Sequence, residues 1–187
     1  MRYEHKRWRS ALEAYRMATH FDATNAQTFM EIGRISYIHL SEYQQALDAY
    51  TKAFELDPHN IEVYQNTCAL LLQLERFDEA LETCERAISQ GLDHAQFMRY
   101  RGQILYECKH YQEACESYQA ALQIMPKNAY LHKEEGDVFR KIGQLHDARN
   151  AYEHALETYS SAQMHDPSFR DEINRILKKL NRMLRDL

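Results

Sequence analysis

GQILYECKHYQEACESYQAAL, residues 102–122, sets a glycine at Gly102, aromatic rings at Tyr111 and Tyr118, and alanines at Ala114 and Ala121. The same order returns along the chain on a fixed beat. Ala11, Ala46, Ala80, Ala114 and Ala148 are spaced 35, 34, 34 and 34 residues apart, and Ala18, Ala53, Ala87, Ala121 and Ala155 follow each by seven. Between the two alanines stand Tyr15, Tyr50, Cys84, Tyr118 and Tyr152. A period near 34 marks a solenoid of helical hairpins, each too small to bury its apolar face alone. Where two helices of a hairpin cross closely, the crossing side chains must be small. Gly33, Gly102 and Gly136 on the first helix, facing Ala46, Ala114 and Ala148 on the second, meet that demand. Each glycine costs about 1 kcal/mol of helix propensity, which close packing offsets. The large residue between the alanines is expected to fill the space toward the next hairpin.

These residues resemble the tetratricopeptide repeat family from about Trp8 to Ser160. The family's small position 8 reads Gly33, Cys68, Gly102 and Gly136, and its large position 17 reads Trp8, Tyr43, Phe77, Tyr111 and Leu145. Position 32, often proline in the family, reads Ala23, Pro58, Leu92, Pro126 and Ser160. The resemblance implies an all-α, right-handed superhelical solenoid of helix-turn-helix repeats with a C-terminal capping helix. It divides one continuous domain into a half repeat at 1–24, four repeats at about 26–60, 61–94, 95–128 and 129–162, and the cap at 163–187. Gly91 and Gly143 fall where a helix should end, Pro58 and Pro126 fall between repeats, and Pro167 after Asp166 should open the last helix. The one spacing of 35 implies an extra residue, expected in the Ile38–Glu42 stretch. Trp8, Ala11, Tyr15 and Ala18 read as a second helix without its first. That reading fits a segment of a longer protein, or an edge that meets another chain.

Composition narrows the function. The chain has 187 residues, a net charge of −5 and 44% hydrophobic residues. A negative balance argues against a nucleic-acid partner, whose affinity comes largely from neutralised phosphates. No apolar run is long enough to span a membrane, and the first residues lack the apolar stretch of a signal peptide, so a cytoplasmic protein is expected. Cys68 and Cys84 occupy core positions of one repeat and read as apolar fillers. Cys108, His110 and Cys115 lack the paired spacing of a structural zinc site, and no hydrolase or metallopeptidase motif occurs. Neither metal, cofactor nor catalytic residue is expected, and the chain reads as a non-enzyme.

In the family, the first helices line a concave surface. Carried over by repeat position, the resemblance implies a partner-binding set of Arg34, Asn66, Arg99, Tyr100, Gln103, Tyr106, Tyr130, Lys133 and Arg140. Tyrosine and arginine are enriched at binding hot spots, and Asn66 and Gln103 can donate to and accept from a peptide backbone. The family's clamp for chaperone C-terminal carboxylates would need Lys, Asn, Asn, Lys and Arg where this chain has Met30, Arg34, Asn66, Gln96 and Tyr100. Only Asn66 matches. The last segment carries an apolar stripe that includes Ile173, Ile176, Leu180, Met183 and Leu187. From Pro167 to Leu187, six Lys or Arg against three Asp or Glu give a net +3. A cap on the last repeat is the expectation; self-association through this stripe, or through the incomplete N-terminal repeat, is one alternative, and contact of the basic face with an anionic membrane or an acidic partner is another. The function expected is a non-catalytic scaffold for a partner protein or extended peptide. A dedicated chaperone for a secreted or assembling client, or a regulatory domain of a longer protein, are the competing readings.

Overall fold

The computed structural model describes residues 2–92, 94–162 and 166–185, and among them there is no strand. The helices are α1 (Arg2–Phe21), α2 (Ala26–Arg34), α3 (Tyr43–Leu56), α4 (Ile61–Gln73), α5 (Phe77–Ser89), α6 (His94–Glu107), α7 (Tyr111–Ile124), α8 (Ala129–Lys141), α9 (Leu145–Ser161) and α10 (Pro167–Met183). They pack as hairpins, α2 on α3, α4 on α5, α6 on α7 and α8 on α9. Two compact units result, Met1–Leu92 and Asp93–Leu187.

Local chemistry sets where the helices start and turn. Asn25, Asn60 and Asn128 cap α2, α4 and α8, each accepting from a backbone N–H of the first turn through its side chain. Within each hairpin, the turn passes through one residue of left-handed backbone. These are Ser41 (φ 57°), Glu75 (φ 56°), Lys109 (φ 65°) and Gly143 (φ 85°), spaced 34 apart, and only the last is glycine.

At three of the four hairpin crossings the structure adds to the sequence expectation. The tyrosine between the alanines fills its own crossing as well as facing outward, where Tyr152 packs with Phe169, Ile173 and Leu180 of α10. Its ring lies over the glycine of its own hairpin, so a Cβ built on Gly33 would stand 2.5 Å from Tyr50, one on Gly102 2.9 Å from Tyr118, and one on Gly136 3.0 Å from Tyr152. The glycine is missing a side chain because the tyrosine occupies that volume. Tyr50 and Tyr152 are fully buried and Tyr118 nearly so. Ring burial of this kind stabilises a fold by roughly 2 kcal/mol per side chain.

The extra residue lengthens the end of the first helix, in a segment that overlaps the expected Ile38–Glu42 stretch at Ile38 and His39. After α2 the helix widens into a π-helical segment, Ile35–His39, closed by Leu40 N–H to Ile35 O (3.2 Å) and Glu42 N–H to Ser36 O (2.8 Å). An i→i+5 bond stores one more residue per turn than an α-helix would, so the surplus is absorbed without a loop.

In the first unit, α1 rests on α2 and this π segment. Trp8 stacks on His39 at 3.6 Å and 6°, Arg9 pairs with Glu42 at 2.5 Å, and Leu12 is fully buried among Ile32, Ile35, Leu40 and Ala49. The far side of α1 is open: Phe21 is 88% exposed and Ala18 is exposed, whereas Ala53, Ala87, Ala121 and Ala155, its counterparts, are fully buried. In the second unit, α10 lies on α9. Asp166 caps it and Pro167 occupies its first turn, while Phe169, Ile173 and Leu180 are buried with Tyr152, Ala155 and Tyr159.

Candidate functional site

The residues assigned to partner binding fall on first helices in both units. In the first unit, Arg34 closes α2, and its guanidinium reaches back to Glu31 through Nε (3.1 Å) and Nη2 (2.5 Å). That hydrogen bond raises the Arg34 pKa further above its already high value. Met30, one turn earlier, is 1% exposed and contributes to the core, not to a binding face. Asn66 is half-buried at mid-α4, and its amide nitrogen is buried with no hydrogen-bond partner among the described residues. A buried donor left unmade costs about 1–3 kcal/mol, so such a group is an exception in a folded protein.

In the second unit, the sequence-assigned residues do come together. Arg99 on α6 grips Glu134 on α8 with both nitrogens: Nε lies 2.8 Å from Oε2, and Nη2 lies 2.6 Å from Oε1. This fork bridges two successive first helices and raises the Arg99 pKa, with the Glu134 hydrogen bond as the leading cause. Tyr100 and Gln103, both half-buried, follow on α6, with the Tyr100 ring 6.2 Å from that of Phe97. Tyr106 ends the row. Its ring meets Tyr111 edge-on at 5.5 Å and carries the Lys141 ammonium 5.9 Å above it. Burial raises the Tyr106 pKa above the ordinary tyrosine value.

Further along α8, Lys133 bridges Asp137 (3.0 Å) and Glu172 of α10 (3.1 Å). Burial works against its charge, but these two carboxylates prevail and its pKa rises. Arg140 donates to Asp137 (3.1 Å) and to the hydroxyl of Tyr152 (3.3 Å), which itself donates to Asp137 at 2.8 Å. Tyr130, 39% exposed, meets Phe169 of α10 edge-on at 4.8 Å.

Every cation in the candidate set therefore has a carboxylate partner already: Glu31, Glu134, Asp137 or Glu172. The surface is polar, aromatic and internally neutralised, suited to hydrogen bonding and stacking and poorly suited to seizing a bare carboxylate. The sequence reading missed these counter-ions. Glu134 was visible in principle, because it follows Arg99 by 35 residues, about one repeat. Glu172 was not, since it lies outside the repeats.

The stripe on α10 is spent differently from the self-association alternative. Ile173 and Leu180 are buried on α9, Ile176 is partly buried beside them, and Met183 remains 43% exposed. Leu187 lies outside the described residues. On the second-helix side of the first unit, α3, α4 and α5 enclose a cleft of about 440 Å³. Asp48, Glu79 and Glu82 stand on its walls, and Phe54 and Leu71 also line it. Among the described residues, no group of three or more His, Cys, Asp or Glu is placed to hold a metal ion, and no helix is long and apolar enough to cross a membrane.

Comparison with known proteins agrees with this architecture. Residues 37–101 and 95–128 each match a sequence profile described as tetratricopeptide repeat. A relative in Dictyostelium discoideum, Protein STIP1 homolog, is 31% identical over 81 residues, 43% of this chain and 14% of its own length. The Hsp70-Hsp90 organizing protein of Triticum aestivum is 34% identical over 61 residues, 33% of this chain and 10% of its own length. The matched stretch thus spans a small part of either relative. Among solved structures, MamA superposes with a TM-score of 0.76 at 20% identity, covering 84% of this chain and 92% of its own. YrrB, described as a tetratricopeptide protein with an unusual peptide-binding site, superposes with a TM-score of 0.67 at 18% identity, covering 94% and 100%. At these identities the likeness is one of fold. With the crossing glycines, the paired alanines and two matching profiles in register, the chain belongs to the tetratricopeptide repeat family.

Proposed function

We propose that the chain is a non-catalytic scaffold that holds an extended segment of a partner protein on its first-helix faces, by side-chain hydrogen bonds to the partner's backbone. The observation that carries this reading is Asn66, whose buried amide nitrogen has no partner among the described residues. Turned outward from its buried position, that amide would find in a backbone carbonyl of a bound segment the acceptor it lacks. In the second unit, taken by itself, the tyrosine row of α6 offers ring faces on which side chains of a bound segment pack. The peptide-binding site named for YrrB and the organizing role named for the wheat relative point the same way. With Gln96 and Tyr100 where the family's clamp has Lys and Arg, the bound segment is internal and not a carboxylate tail. The cytoplasm suits four cysteines that stand outside any disulfide.

The test is affinity capture from the source organism's lysate, comparing the wild type with Asn66→Ala and with a triple variant, Arg99→Ala, Tyr100→Ala and Tyr106→Ala. All three must first show equal helicity. Partners lost from both variants and kept by the wild type support the reading. The same partners recovered at the same yield from all three would remove the first-helix faces from consideration.

A further inference from the structure

Three hairpins cross with glycine beneath a tyrosine ring, and the second crosses with sulfur on sulfur. Cys68 on α4 takes the place held elsewhere by Gly33, Gly102 and Gly136. Cys84 on α5 takes the place of Tyr50, Tyr118 and Tyr152. Both are fully buried, and their Sγ atoms are 3.3 Å apart. The exchange is sterically matched. Any side chain at the first position would strike a tyrosine at the second, so Cys68 is accommodated only because the ring is absent. Packing alone would accept many small apolar pairs here. A cysteine at both places puts two thiols little more than ~1 Å short of a bond about 2.05 Å long.

We propose that Cys68 and Cys84 are an oxidisable dithiol, a modification site at which a hydroperoxide forms a disulfide that staples α4 to α5. The chemistry balances. One thiol, as its thiolate, attacks a peroxide oxygen and becomes a sulfenic acid, releasing one water from hydrogen peroxide. The second displaces that hydroxyl as another water, and the sulfur–sulfur bond forms. Two thiols and one hydrogen peroxide give one disulfide and two waters, with two electrons passing from sulfur to oxygen.

Burial governs when this happens. The hydrogen bond to Cys84, and then burial, hold the Cys68 thiol protonated, so the closed hairpin resists oxidation. Attack waits for the hairpin to open locally, and closing it brings the sulfurs together. The bond closes a loop of 16 residues. Removing that loop's entropy from the open ensemble shifts the opening equilibrium of the hairpin by about a hundredfold toward closed. Asn66 lies two residues before Cys68 on the same helix, so the staple also fixes the element that presents it.

The experiment treats the reduced 187-residue chain with graded hydrogen peroxide, with and without urea below its unfolding midpoint. Remaining thiols are alkylated and peptides mapped by mass spectrometry before and after reduction. The expected result is a Cys68–Cys84 linked peptide, lighter by two hydrogens, forming faster in urea and reverting with dithiothreitol. The linked protein should exchange the amide hydrogens of α4 and α5 about a hundredfold more slowly than the reduced protein, by the same loop-entropy argument. A Cys108→Ser, Cys115→Ser variant should form the same link at the same rate. Products confined to Cys108 or Cys115, cross-links only between molecules, or Cys68 and Cys84 both alkylated in full after peroxide and denaturation would each overturn the proposal. The wild-type mapping decides the matter even if the variant fails to fold.

Discussion

The ring of Tyr50 lies so close over Gly33 that a Cβ there would stand 2.5 Å from Cε1 and 2.6 Å from Cδ1. Alanine is the better helix former by about 1 kcal/mol, and a helix in isolation would favour it. Overpacking a filled core costs about 1–3 kcal/mol, which outweighs that gain. Gly33→Ala should therefore lower stability by up to about 2 kcal/mol in urea unfolding. The spacing is 2.9 Å at Gly102 and 3.0 Å at Gly136, so the loss should shrink in the order Gly33, Gly102, Gly136. A Gly33→Ala protein as stable as the wild type would mean that the tyrosine moves aside freely.

The four intra-hairpin turns offer a second comparison within one molecule. Gly143 and Lys109 hold the same left-handed backbone at φ 85° and 65°, and only lysine carries a Cβ that strains it. Lys109→Gly should raise stability by about 1 kcal/mol, and Gly143→Ala should lower it by a similar amount. Thermal unfolding of the two variants, read against the wild type, checks both signs together.

Asn66 separates binding from folding. Its amide nitrogen makes no hydrogen bond among the described residues, so Asn66→Ala should leave stability unchanged or raise it by up to about 1 kcal/mol. Partner capture should fall at the same time. A clear loss of stability in this variant would show that the amide holds the fold together, and the binding role would lose its main support.

Glu135 adds a pH dependence. Burial is the leading cause that lifts its pKa above the ordinary 4.5, against the opposing pull of Gln119, His132 and His154. The folded chain thus holds that proton more tightly than the unfolded chain. The penalty for ionising it is present above the folded pKa and vanishes below about 4.5, where both states are protonated. Glu135→Gln should be more stable than the wild type at pH 7, and the gap in urea midpoint should close as pH falls toward 4. A gap that stays constant across that range would contradict the assignment.

How much of this was legible beforehand follows from what each residue is constrained by. The hairpins were readable because Ala46, Ala80, Ala114 and Ala148 have no freedom: a crossing admits only small residues, and the period repeats that demand. The partner of each glycine was misread. A list of positions says that Gly136 and Tyr152 are both required, and not that one fills the other's missing volume. Ion pairing was harder still, since Arg99 meets Glu134 through long side chains on two successive first helices, where geometry and not spacing decides. On α10, the stripe of Phe169, Ile173 and Leu180 announced a covered face without saying what covers it. The structure answers with Tyr152, Ala155 and Tyr159.

The widened turn at Ile35–His39 bears on how arrays of this kind change length. An inserted residue need not bulge into solvent or push the following helix out of place, because five residues can share a turn that four would otherwise fill. Gly33 still meets Tyr50 across the insertion. Periodicity in such a chain is thus kept by its contacts and not by its residue count, and an alignment that enforces 34 at every step would misplace a whole helix while the molecule itself stays in register.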